Sequence, residues 1–144
     1  MKLLYTDETN CNLSYEFFNK IAENVFNHLD IAENTYEISL LITDDETIHN
    51  LNKEYRQKDK PTDVLSFPMD DEVLLGDIVI SIDTAKKQAE EREINIDREA
   101  AFLFIHGLLH LLGYDHETSA EDEKEMFALQ EEILKKLIDY GVVS

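Results

Sequence analysis

Three histidines carry the most specific chemistry in this chain. In His106-Gly107-Leu108-Leu109-His110-Leu111-Leu112-Gly113-Tyr114-Asp115-His116, the second histidine follows the first by four residues and the third follows the second by six. On a helix, positions i and i+4 share a face, so His106 and His110 can grip one ion together. Gly113 can end that helix in a left-handed turn. The chain then doubles back, and His116 can close a third corner. Three neutral imidazoles suit a zinc ion and leave a fourth position for water. Zinc acidifies such a water and polarises an electrophile, which is hydrolytic equipment for an amide or a phosphodiester alike.

The same spacing occurs in zinc endopeptidases, which place a glutamate directly after the first histidine as general base. Gly107 stands there instead, so the peptidase reading lacks its proton acceptor. Asp115, next to His116, can orient that ring or cap the turn. Glu99 lies seven residues before His106, too far along the helix to be assigned as the base. Arg56 is the best candidate for phosphate recognition, because a guanidinium presents a planar fork of donors. It can equally close a helix in favourable dipole alignment. Lys58 and Lys60 can guide a phosphate backbone or serve as solubilising charges. Thr62 and Ser66 lie close by, and their hydroxyls are read first as satisfying a loop and a strand. Tyr114 and Phe67 are expected to be mainly packed. His28 is expected to be solvated and His49 to be structural or at the surface.

Composition limits the setting. A chain of 144 residues is one domain of ordinary size. An apolar share of 43%, with seven Phe and six Tyr, argues against general disorder. The single cysteine, Cys11, has no partner for an internal disulfide, which favours a reducing compartment. No basic start leads into an apolar stretch of signal-peptide type, and the apolar run from Ala100 to Ile105 is far too short to span a bilayer. The expectation is a cytoplasmic protein with no membrane partner. The formal charge of −19 repels nucleic acid at long range. The basic residues are unevenly placed, however, with Lys53, Arg56, Lys58 and Lys60 falling together.

These residues need elements to hold them. Lys2 to Tyr5 reads as a strand. From Ser14, Phe18, Ile21, Ala22, Val25, Phe26 and Leu29 recur at helical steps. Glu37 to Ile42 alternates as a strand with Ile38, Leu40 and Ile42 on one face. Thr43-Asp44-Asp45-Glu46 fits a capping box before a helix that carries Ile48, Leu51 and Tyr55 inward and ends near Arg56. Val64 to Phe67 and the apolar stretch around Gly76-Asp77 are expected to form a hairpin, with Gly76 allowing a bulge or a close backbone approach. Asp83 to Glu93 looks helical. Asp97 is the candidate cap of a helix running to Leu112 that is apolar around much of its axis and hence buried. A last helix starts near Ser119, carries Met126, Leu129, Ile133, Leu134 and Leu137 inward, and stops at Gly141. The fold class is α+β: a small mixed, mainly four-stranded sheet packed with about five helices, the metal site on a buried helix and the turn after it.

The histidine motif, together with Pro61-Thr62-Asp63-Val64-Leu65-Ser66-Phe67-Pro68 and Gly76-Asp77-Ile78, resembles the YbeY family of bacterial endoribonucleases in order and spacing, over essentially the whole chain. The resemblance implies one zinc ion per chain held by His106, His110 and His116, and a functional arginine at Arg56 that handles RNA near the metal. It implies a zinc-dependent, single-strand-specific endoribonuclease, with His110 and Arg56 as its catalytic residues. The implied substrate is the 16S ribosomal RNA precursor, matured at its 3' end. The implied wider role is quality control of ribosomes, with the ribosome or ribosomal proteins as partners. Two other readings compete with it. One is another zinc-dependent hydrolase, and the other is a non-catalytic ribosome assembly factor in which the metal only holds the fold.

Overall fold

Period-two alternation and period-3.6 stripes set the elements. The computed structural model describes residues 1–32, 36–114 and 119–144. In chain order the elements are β1 (Lys2–Asp7), α1 (Tyr15–His28), β2 (Glu37–Thr43), α2 (Asp45–Arg56), β3 (Val64–Pro68), β4 (Leu74–Ser81), α3 (Ile82–Arg92), α4 (Ile96–Leu111) and α5 (Ala120–Asp139). The four strands lie in the order β1-β2-β4-β3. β1, β2 and β4 run parallel, while β3 pairs antiparallel with β4. The expected mixed sheet and its hairpin are both present. Parallel neighbours need crossovers, and α1 and α2 stand between the parallel strands in the chain.

Alternation along the strands divides the sheet into two faces. Ile38, Leu40, Ile42, Ile78 and Ile80 point to the large core, which they share with Phe18, Ile21, Phe26, Phe104, Leu108 and Leu137 from the helices. Leu65 and Val79 point the other way and meet Ile48 of α2. Helix α4 therefore packs on one face of the sheet and α2 on the opposite one. The two helices that carry the sequence's candidate residues are thus separated by the sheet, whose edge strand β3 packs against α4.

Two helix starts differ from expectation. Asp44, not Thr43, caps α2, accepting from the Thr47 amide at 2.8 Å. Thr43 is buried, and its hydroxyl donates to Glu8 at 2.8 Å. Helix α4 starts after Asn95, whose side chain makes no capping hydrogen bond. Asp97 instead accepts from the Arg98 amide at 2.9 Å and the Ser144 amide at 2.8 Å, tying the chain's end to α4. In both cases tertiary packing brings a partner from far along the chain, an acceptor at Glu8 for Thr43 and a donor at Ser144 for Asp97. Ser14 and Ser119 cap α1 and α5 as their positions suggest.

Gly76 does allow a close approach. A Cβ at this residue would lie 2.5 Å from the Phe67 carbonyl and 2.6 Å from Leu111. The β2/β4 register shifts beside it, where Glu37 pairs with Leu74 and Ile38 with Gly76. Lack of a side chain there seats the end of α4 against the β3–β4 hairpin.

Candidate metal centre

Helix α4 is buried nearly all round, as its apolar sequence requires. Between Glu99 and Leu111 only Phe102, His106 and His110 are not buried. They stand at successive steps of four, so one stripe of an otherwise enclosed helix opens outward. The His106 and His110 rings lie along it with centroids 4.8 Å apart and planes inclined at 64°. The other faces of the helix bear on the sheet and on α1, α3 and α5, so both side chains project from a fixed base.

Gly107 explains how the helix sits so close. A Cβ there would come within 2.9 Å of Ile78 Cγ2 and 3.1 Å of Ile78 Cδ1 on β4. A glutamate at this position has no room and would point into the sheet rather than into the site. The absence of a peptidase-type base is thus a packing consequence as well as a sequence fact.

Beyond His110 the helix ends in the expected left-handed turn. Gly113 has φ +102°. The Gly113 amide donates to His110 O at 3.1 Å and the Tyr114 amide to Leu109 O at 3.0 Å, closing the last carbonyls. Tyr114 packs against the large core as a half-buried residue. Asp115 and His116, assigned from the sequence as ring-orienting acceptor and third ligand, lie outside the described residues. Among the described residues no group of three His, Cys, Asp or Glu side chains gathers for a metal. His106 and His110 are two of the three histidines that the sequence nominates, and their shared outward stripe is compatible with holding a zinc-type ion.

His106 is supported by a residue that sequence reasoning did not single out. Gln130 of α5 is buried, and its Nε2 lies 2.8 Å from His106 Nδ1. It occupies the inward stripe with Met126, Ile133, Leu134 and Leu137, whereas Leu129 is only partly buried. An amide in an otherwise apolar stripe was the available signal. Next to His106 opens a cleft of about 240 Å³ lined by Asp63, Arg92, Glu99, Phe102, Phe127 and Gln130, among others. Within it Arg92 Nη1 donates to both oxygens of Glu99, at 3.1 and 3.0 Å. The Glu99 side chain is 1% exposed. Burial pushes its carboxyl above the ordinary glutamate value, against the opposing pull of Arg92. Asp63 accepts from the Val64 amide at 2.8 Å and from Gln88 Nε2 at 3.3 Å.

The phosphate candidates stand elsewhere. Arg56 sits in the last turn of α2, the helix whose Ile48 packs with Leu65 and Val79 on the other face of the sheet. Residues 53–61 are exposed throughout, Lys58 and Lys60 included. Their backbone is nonetheless tethered. Asn52 Nδ2 donates to Lys60 O at 2.9 Å, and the Lys58 amide donates to Asn52 O at 3.2 Å. His49 Nε2 lies 2.6 Å from Asp59 Oδ1, a bond that holds the Asp59 carboxyl below its ordinary value. His49 is thus a structural residue of this loop. Tyr55, expected inward, is 60% exposed and meets Phe67 edge-on at 5.5 Å. Ser66 is half-buried on β3, and the Thr62 hydroxyl reaches Asp63 Oδ1 at 3.4 Å. His28 is not simply solvated. Its side chain is 14% exposed, with Lys136 Nζ at 2.8 Å and Glu132 at 3.7 Å.

Comparison with known proteins agrees with this architecture. A family model described as "Endoribonuclease YbeY" matches residues 5–138. A Sulfurihydrogenibium protein of that name is 49% identical over 130 residues, covering 87% of this chain and 84% of the relative. One from Acholeplasma laidlawii is 55% identical over 121 residues, covering 83% and 85% respectively. The solution structure of a Thermotoga maritima protein superimposes with a TM-score of 0.68 at 27% identity, covering 94% of this chain and 88% of that one.

Proposed function

The chain belongs to the YbeY endoribonuclease family, and from that premise we propose that it is a zinc-dependent enzyme that cleaves single-stranded RNA at the α4 histidines. One observation carries the reading. The two imidazoles stand 4.8 Å apart on the only open stripe between Glu99 and Leu111 of a helix whose other faces are packed. Surface histidines on a mobile segment would not be held at a fixed separation. A metal site needs that rigidity.

His106 and His110 would hold the ion, with His116 as the third imidazole. Zinc there would supply an acidified water and a concentrated positive charge beside the scissile phosphate. The protein's own part is to position and to steer. Gly107 lets α4 sit deep enough that the ligand stripe is fixed by the core. Arg56, with its guanidinium in solvent, would pair with RNA phosphate as the chain crosses the β3 edge, and Lys58 and Lys60 would add charge on the same loop. The surface as a whole, at −19, disfavours loose capture of polyanions. Few phosphate contacts and a selected substrate fit this balance better than general RNA affinity. The precursor of 16S ribosomal RNA is the substrate the family suggests. The ribosome or its proteins would supply docking surface that the acidic enzyme lacks, in the cytoplasm. Among the described residues no helix is long and apolar enough to cross a membrane.

The test is cleavage of defined single-stranded and duplex RNA by zinc-loaded protein, run beside His110→Ala. Cleavage confined to single strands and absent from the variant supports the proposal. Equal cleavage by the variant removes the metal from the chemistry. A zinc-loaded protein that binds RNA without cutting it leaves the assembly-factor reading.

A further inference from the structure

We propose that Gln130 is the positioning residue of the metal centre, setting the ring plane and the tautomer of His106 from the neighbouring helix α5. The inference rests on the zinc reading above and adds to it the residue that prepares one ligand for the ion.

Gln130 is 3% exposed and sits among Met126, Ile133, Leu134 and Leu137. A buried amide among apolar side chains costs stability unless it is hydrogen-bonded. Its place on this stripe is therefore accounted for by its bond to His106 Nδ1 at 2.8 Å. That bond spans two helices and assigns the ring's nitrogens to different tasks. With Nδ1 turned to α5, Nε2 is the nitrogen for a metal. A metal on Nε2 requires the proton on Nδ1, so Nδ1–H donates and the amide must accept through Oε1. Rotation of the terminal amide by half a turn exchanges oxygen for nitrogen at the same place. Gln130 can thus serve the metal-loaded ring without moving its backbone. Two acidic groups of the adjoining cleft are otherwise engaged, Glu99 with Arg92 and Asp63 with Val64 and Gln88. The neutral amide adds no further charge to a cleft already lined by Asp63, Glu99 and Glu123.

The experiment measures zinc affinity by competition with a chromophoric chelator for the wild type, His110→Ala, Gln130→Met, Gln130→Asn and Gln130→Glu. Melting of each metal-free protein is followed alongside. Gln130→Met keeps the length but cannot accept the bond, and Gln130→Asn keeps the amide but is one methylene short. Both are expected to bind zinc about 10–100-fold more weakly, the usual effect of losing an outer partner of a ligand. Gln130→Glu restores an acceptor and is expected to stay within about threefold of wild type, as in carboxylate–histidine–zinc triads. Wild-type affinity in Gln130→Met and Gln130→Asn overturns the proposal, as does a Gln130→Glu protein that falls as far as they do. If Gln130→Met does not fold, the contrast between Gln130→Asn and Gln130→Glu decides by the same criterion. Loss of zinc in His110→Ala with unchanged affinity in the Gln130 variants overturns this inference alone. A wild type that binds no better than His110→Ala overturns the zinc reading and this inference with it.

Discussion

Helices α4 and α2 each contribute candidate residues, and they hold them in opposite ways. On α4 the histidines rise from a helix enclosed by the sheet and three other helices, and His106 is held again by Gln130. On α2 and the loop after it, Arg56, Lys58 and Lys60 are exposed, and only their backbone is tethered, through Asn52 and the His49–Asp59 pair. Coordination tolerates little positional error, so its ligands are built on rigid, buried scaffold. Contact with a flexible polyanion depends on charge in solvent and tolerates mobile side chains. The two helices lie on opposite faces of the sheet, so a single RNA strand that used both would have to cross the β3 edge.

His110→Ala tests the rigid region with the largest expected effect. Zinc affinity should fall by more than the roughly 100-fold that outer-sphere changes cause, and RNA cleavage should drop to background. Arg56→Ala should leave zinc affinity and melting unchanged while lowering kcat/KM on RNA by about tenfold or more, as expected when a charge-assisted phosphate contact is lost. Loss of zinc in the Arg56→Ala protein would break the contrast between the two helices. The seating of α4 comes next. Gly107→Ala should destabilise by about 1–2 kcal/mol in denaturant unfolding, because overpacking against β-branched Ile78 outweighs the helix propensity that alanine adds. A more stable variant would show that the contact with β4 yields easily.

The smallest effect concerns Glu99. Its carboxyl is raised by burial despite Arg92. The stability linked to its protonated form is therefore complete below the ordinary glutamate value and is lost as pH rises through the raised one. Glu99→Gln should remove this loss, so the variant should gain on wild type in urea titrations as pH climbs through that window. A difference of the opposite sign would mean that the ion pair with Arg92 outweighs the cost of burial.

Much of this protein was legible in its residues. The mixed sheet, the β3–β4 hairpin and the buried character of α4 follow from periodicity, turn residues and length. Those are local properties that each segment carries alone. The spacing of His106 and His110 fixed their common face for the same reason. The caps at Thr43 and Asp97 were misread because Glu8 and Ser144, distant in sequence, supply their partners. Tyr55 was misread because an amphipathic stripe does not say where the partner surface ends. Only the tertiary structure could decide that Gln130 stands behind His106, that Glu99 pairs with Arg92, and that α2 packs on the sheet face opposite α4. Each depends on which helix packs beside which. That choice is made by burial summed over the whole core, and no short stretch of sequence contains it.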